Sequence, residues 1–333
     1  MTLKIGLQVS LDQIQPDVGL KLSSLAEESG FDSIWVTDHL IPWSDYNGSG
    51  GFAWSWLGSV GEATKKIKIG TGLTCPIFRY HPATIAQGAA TLNHMYGPRV
   101  FLSVGTGEVH NEVPLGFDLQ TYKWRAERLE EAIAVIRKLW SGEFVNYRGR
   151  HYTLKNARLY TPPKSPIPLF VAGSGSRAAE MAGRLGDGFL TPETEDKKVT
   201  KLFEAVGRGA KATGGSFESK ERGLEVWASY DEDYNRAVSS LKPFGSLLVP
   251  LFNRGNSFDP REMDYYGNLL SESGLVKGNY VETSAEPFIK LIENFEKLGF
   301  TDVHFNSRSP DHKKFVRLFG EKVIPYFKNR RTS

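Results

Sequence analysis

A chain of 333 residues that is 40% hydrophobic and 24% charged, with a formal net charge of +3, has the composition of an ordinary globular protein. No dense basic run precedes the terminal Lys328-Asn329-Arg330-Arg331, which reads as a solvated end, so no nucleic-acid partner is expected. The single cysteine, Cys75, excludes an intrachain disulfide and cysteine-based zinc motifs; no basic-then-apolar leader opens the chain, and no stretch reaches the roughly 18 apolar residues of a membrane span, so a cytoplasmic protein without membrane partners is expected.

In chain order, Lys4 to Val9 is short and β-like, and Pro16 to Gly30 follows as a helix with Pro16 in its first turn and Gly30 as its stop. Ser33 to Val36 is again a strand, and strand, helix, strand in so short a span is a βαβ unit with parallel pairing. The unit repeats: helices over Phe52 to Thr64 and Pro82 to Tyr96 alternate with strands over Ile67 to Thr71 and Val100 to Val104. Leu119 to Trp140 is the longest helix, with Leu129, Ile133, Ile136 and Leu139 at the spacing of one buried face. Phe144 to Tyr147 and His151 to Leu154 read as a β-hairpin inserted into the alternation. Strands at Leu169 to Ala172, Gly188 to Leu190, Gly223 to Ser229 and Val303 to Asn306 alternate with helices at Ser176 to Leu185, Thr200 to Thr213 and Lys313 to Phe327. A mostly helical insertion occupies about 231–298. Eight strands alternating with helices is the count of a (β/α)8 barrel, an open doubly wound sheet being the alternative, and 1–333 reads as a single domain.

Four segments join an apolar strand to Gly, Asp or small polar residues: IWVTDHLIPW (34–43), IKIGTGLTCP (67–76), FLSVGTGEVHNE (101–112) and PLFVAGSG (168–175). Such strand ends are where a parallel α/β protein keeps its active site. His39 can take or give a proton near neutral pH, with Asp38 beside it; a helix-capping aspartate next to a satisfied histidine is the structural alternative. Glu108 is a buried acid or base whose pKa is tuned by its setting, or else a carboxylate favoured by a helix N-terminus. Gly173-Ser174-Gly175-Ser176 precedes a helix whose first N–H groups suit a phosphate, with Arg177 adjacent; neither it nor Gly70-Thr71-Gly72 fits the Rossmann fingerprint, and plain tight turns are the alternative. Trp43, Tyr46, Phe52, Trp54 and Trp56 crowd the second βα loop, either to stack on a flat ring system or as a satellite cluster. His81, His94, His110, His151, His304 and His312 lack metal-ligand spacing, and no catalytic metal is expected.

WVTDHLIPW, TGLTCPIFRYHPATIAQ, SVGTGEVHNE and AGRLGDGF resemble segments of the bacterial luciferase-like superfamily. Asp-His-x-x-x-Trp together with Gly-Thr-Gly-Glu-x-x-Asn resembles its branch that uses the deazaflavin coenzyme F420, the glucose-6-phosphate and secondary alcohol dehydrogenases. The resemblance covers nearly the whole chain. It implies an α/β (β/α)8 TIM barrel with insertions, a homodimer, and hydride transfer between the carbinol carbon of a small-molecule substrate and C5 of the deazaflavin. Carried over motif by motif, it makes His39 the general base and Glu108 the manager of the proton near N1 of the cofactor, and places Trp43 in the substrate pocket with Asp12 near it. It assigns Asp38, Cys75 (through its backbone), Thr106, Gly107 and Asn111 to the deazaflavin and its ribityl chain, and Ser174, Gly175, Arg177 and Ala178 to its phosphate. It also implies a non-prolyl cis peptide joining Gly72 and Leu73, as a bulge against the cofactor ring.

The glucose-6-phosphate enzymes resemble one another in a Lys, Lys, Arg set for the substrate phosphate, where this chain has Glu195, Arg254 and Gly278. One cation in place of three, beside a carboxylate, would repel a dianion. Leu247 to Phe252, followed by Phe258-Asp259-Pro260, resembles the secondary alcohol type, so the expected substrate is a small neutral alcohol/ketone pair. The alternatives are a sugar 6-phosphate, kept open by Lys197 and Lys198 close to Glu195, and a luciferase-type monooxygenase using FMN.

Overall fold

The computed structural model describes residues 3–249 and 258–330. Its strands are β1 (Lys4–Val9), β2 (Ser33–Val36), β3 (Lys68–Thr71), β4 (Val100–Val104), β5 (Val145–Arg148), β6 (Thr153–Ala157), β7 (Leu169–Ala172), β8 (Gly188–Thr191), β9 (Glu221–Tyr230), β10 (Tyr280–Glu282) and β11 (Asp302–Ser307). β1, β2, β3, β4, β7, β8, β9 and β11 pair in parallel, each with the next, and the β11–β1 pairing closes them into an eight-stranded barrel ringed by helices. The open-sheet alternative is thereby excluded.

Each barrel strand is buried on both faces, which is why it reads as a short apolar run rather than an alternation. Outward residues such as Ile5, Leu7 and Val9 join the large core under the helices. Inward residues obey the same period of two and form a plug, in which Trp35 packs on Phe101 at 4.3 Å and on Phe170 at 5.3 Å. The interior above the plug is lined by polar side chains, and that is the C-terminal mouth of the barrel.

The hairpin is β5–β6, an antiparallel pair outside the barrel. The insertion adds a short strand to its helices. It holds helices Tyr234–Ser239, Pro260–Gly267 and Glu272–Val276, but also β10, which adds in parallel to the end of β9. Three residues are too few to show a period, which hid β10 from sequence reading. Helix Glu286–Leu298, counted as the end of the insertion, leads directly into β11 and is the regular crossover helix before that strand. The last helix, expected unbroken, is His312–Leu318 and Ile324–Arg330 joined by a π turn over Phe319–Val323.

Candidate active site

The barrel mouth holds a cavity of about 430 Å³. A second cavity of about 440 Å³ shares Thr106, Ala172, Gly173 and Ser174 with it, so the two run together over the ends of β4 and β7. His39 and Trp43 enter from the loop after β2, and Asp12 from the loop after β1. β3 is the next strand round the barrel from β2: the chain leaves it at Gly72–Leu73, whose peptide bond is cis, and bridges to β4 at Thr74. Thr106, Gly107 and Glu108 follow β4, where Gly107 takes φ +79, a conformation L side chains avoid, and a Cβ there would press on Cys75 Sγ at 2.9 Å.

Glu108 opens a short helix, Val109–Glu112, and this turns His110 back under the cavity wall. His39 Nδ1 lies 3.1 Å from His110 Nε2, and His110 Nδ1 lies 3.3 Å from Glu108 Oε2. One donor atom from each of the three sits within 4.8 Å of the others, a spacing that a hydrogen-bonded chain and a metal ion would both accept. Trp43 packs its ring on His110 at 3.8 Å between centroids. Glu108 shows nearly half of its side chain, 48%, but faces the cavity interior rather than bulk solvent. Burial within the barrel walls raises its carboxyl above the ordinary range; His39 pulls it down, and the carboxylates of Glu225 and Asp12 push it up. Burial, reinforced by His39, holds His110 well below an ordinary histidine, so that ring is neutral.

Ser174 lines both cavities, and Gly175, Arg177 and Ala178 line the second, around the N-terminus of helix Ser176–Leu185. Asp38, Cys75 and Asn111 stand one layer behind the cavity and do not line it. Adjacent residues on an extended chain point to opposite sides. While His39 faces in, Asp38 faces away, where Thr74 Oγ1, Arg79 at 2.8 Å and Tyr80 at 2.9 Å all donate to its carboxylate. Cys75 is packed against Glu112 behind Gly107. Asn111 Oδ1 accepts from the backbone N–H of Leu40 at 2.9 Å and so positions the His39 loop. Glu195 is on the outside, paired with Lys198 at 2.8 Å; Arg254 lies outside the described residues.

Sequence reasoning passed over Gln8, Arg125, Glu225, Asn306 and Arg308, all of which line the main cavity. Glu225 Oε1 accepts from Gln8 Nε2 at 3.0 Å and from Trp227 Nε1 at 2.8 Å. Arg308 is fully buried between Trp227 at 4.3 Å and Phe244 at 4.5 Å and donates to Asn279 Oδ1 at 2.9 Å. Burial lowers its pKa to about 9, against the pull of Glu225 and Asp12. Glu225 had left a signal, a carboxylate in the middle of the apolar run GLEVWASY; Arg308 left none.

The model of the luciferase-like monooxygenase family matches residues 3–302. The chain is 36% identical over 330 residues to the F420-dependent glucose-6-phosphate dehydrogenase of Microbacterium testaceum, and 34% identical over 330 residues to that of Beutenbergia cavernae, covering 98% of both partners in each case. Among solved structures it is similar to an F420-dependent secondary alcohol dehydrogenase in complex with an F420-acetone adduct, with a TM-score of 0.93, 37% identity, and 98% and 99% of the two chains covered. The coenzyme F420-dependent tetrahydromethanopterin reductase from Methanopyrus kandleri, at a TM-score of 0.82 and 22% identity over 98% of this chain and 100% of that one, shares the fold. With the barrel, the mouth-facing His39 and Glu108 and the full-length matches together, the chain belongs to the luciferase-like family, in the part of it that holds the F420-dependent dehydrogenases.

Proposed function

We propose that the protein oxidises a small neutral secondary alcohol to its ketone, or runs the reverse reduction, as a coenzyme F420-dependent oxidoreductase. Dependence on F420 and action on a CH–OH group follow from the relatives. The choice of a neutral substrate rests on one observation, the charge of the cavity. Among the described residues, three carboxylates, Asp12, Glu108 and Glu225, line it against two arginines, Arg125 and Arg308. Arg308 is held between two rings and by Asn279, and Arg125 is turned to the backbone carbonyls of Thr106 at 3.2 Å and Gly107 at 3.0 Å. A phosphate dianion would meet net repulsion there. Of the two lysines that kept a sugar phosphate open, Lys197 and Lys198, neither lines the cavity, and Lys198 is paired with Glu195 at 2.8 Å and Glu193 at 3.6 Å.

The residues present fit a deazaflavin nucleotide. The joined cavities give room for a ring system and a tail, Gly72–Leu73 offers a flat apolar wall, and the Ser174 to Ala178 turn presents helix N–H groups to a phosphate. Buried Gln8 Oε1 and Asn306 Oδ1 have no partner among the described residues, which suits a ligand with donors. The deazaflavin supplies a carbon that takes or returns a hydride. The chain supplies the rest: His39 takes the hydroxyl proton, Trp43 shapes the pocket beside it, and the barrel walls exclude water.

The test is a spectroscopic titration with F420 and, separately, with flavin mononucleotide, followed by 2-propanol and by glucose 6-phosphate. Bleaching of the bound F420 absorbance by the alcohol is expected. Turnover of glucose 6-phosphate with the alcohol inert would overturn the neutral substrate, and binding of flavin alone would overturn the cofactor.

A further inference from the structure

His110 is 3% exposed and has no part in the reaction as described so far, yet its two ring nitrogens meet the two groups that the reaction uses. Its surroundings decide its tautomer. The Leu40 N–H donates to Asn111 Oδ1, which fixes that amide so that Nδ2 is the donor end. Nδ2 lies 3.3 Å from His110 Nε2, so Nε2 is an acceptor, and the neutral ring carries its one proton on Nδ1, directed at Glu108 Oε2. His39 Nδ1, 3.1 Å from the same acceptor, must then be the N–H of its own ring. That leaves His39 Nε2 as the bare nitrogen of the base.

We propose that His110 is a proton conductor between His39 and Glu108. The inference rests on the reading of His39 as the base of an alcohol oxidation. As the carbinol hydrogen leaves as hydride, which a bound deazaflavin would accept, the O–H proton passes to His39 Nε2 and the C=O bond forms. The Nδ1 proton of His39 moves to His110 Nε2, and the Nδ1 proton of His110 moves to Glu108 Oε2. One proton enters the chain and one arrives on the carboxylate, while both rings stay neutral and exchange tautomers. The Asn111 amide favours the starting tautomer of His110, to which the chain returns by exchange with solvent after the product leaves. The raised pKa of Glu108 lets it hold the delivered proton. Among the described residues, the other charged groups lining this cavity are Asp12, Glu225, Arg308 and Arg125, the last held on the Gly107 carbonyl beside Glu108.

The test has two arms. In the first, 15N NMR of histidine-labelled protein without cofactor is expected to show His110 neutral from pH 5 to 8 with its proton on Nδ1, and His39 Nδ1 as a donor; a His110 that protonates in this range, or carries its proton on Nε2, overturns the proposal. In the second, His110→Gln keeps one donor and one acceptor but cannot pass a proton, whereas His110→Phe keeps only the packing. Both should bind F420 as the wild type does and slow single-turnover oxidation about 10²-fold, with the multi-proton solvent isotope effect collapsing to a single-proton one. Wild-type rates and isotope effects in His110→Gln overturn the relay. Should the wild type prove inert to every alcohol, the proposed function fails, and the NMR arm still decides the hydrogen-bonded chain.

Discussion

At Glu112 the wall behind the cavity contains a carboxyl that titrates near neutrality. Burial raises its pKa from 4.5 to about 7, outweighing Arg79 and the contact with Cys75 that lower it. A folded-state pKa raised above the unfolded value means that the native protein holds this proton more tightly, so the contribution of Glu112 to stability is fully present below pH 4.5 and is lost as pH rises through about 7. Over that window Glu112 alone costs about 3 kcal/mol. Glu112→Gln should therefore raise the Tm at pH 8 and leave it unchanged near pH 4.5; equal shifts at both values in thermal scans would refute this assignment. His39→Ala should lower turnover by about 10² to 10⁴ while F420 still binds, and loss of binding instead would make His39 a cofactor contact rather than the base. His39 and Glu108 were legible as candidates because each follows a strand end. That Asp38 turns its back on the cavity was not, since neighbouring letters carry no information about which side of a loop they face.

Two elements set the shape of the mouth. The loops after β2 and β3 are tied together by Asp38, whose side chain is only 1% exposed and which meets Arg79, Tyr80 and Thr74. Arg79→Ala removes the cation beside that buried carboxylate, leaving it only the Thr74 and Tyr80 hydroxyls, and should cost about 3 kcal/mol in urea denaturation, with weakened F420 binding because the His39 loop is loosened. A change below 1 kcal/mol would mean that the tie is dispensable. Helix Ser176–Leu185, whose N-terminus borders the second cavity, packs on helix Asp196–Ala212 through bare backbone. A Cβ on Gly183 would lie 2.1 Å from the carbonyl oxygen of Val206, and one on Gly209 2.0 Å from that of Glu180. Backbone cannot give way as a side chain can, so Gly183→Ala should cost about 1 to 3 kcal/mol and weaken F420 binding by moving the helix; unchanged Tm and Kd would overturn this. The strand and helix spans were readable here because burial imposes their period. β10 and the π turn were not, because three residues show no period and a π turn depends on what packs beside it.

At the scale of the whole molecule, the barrel is sealed where the two ends of the chain meet. Phe319, fully buried in the π turn, stacks on Phe31 from beside β2 at 5.8 Å and on Phe315 at 4.5 Å, and packs against Phe305 of β11 at 4.8 Å. Phe319→Ala should cost about 3 to 5 kcal/mol and lower the Tm of one cooperative transition seen alike by fluorescence and circular dichroism; separate transitions would show that the two ends unfold independently. The alternation of strands and helices was settled by the sequence alone, because hydrophobic period, glycine stops and proline starts act over a few neighbouring residues. The cavity opens at those strand ends, where apolar runs give way to Gly, Asp and small polar residues. Which groups converge there was decided only by closure of the barrel. It brings His110 to His39 across 71 residues and Glu225 to Gln8 across 217, and it buries Arg308 between two rings. Local patterns record which face of a strand is buried, but a side chain's charge, tautomer and partner are set by what lies across the barrel, and that distance in space bears no relation to distance along the chain.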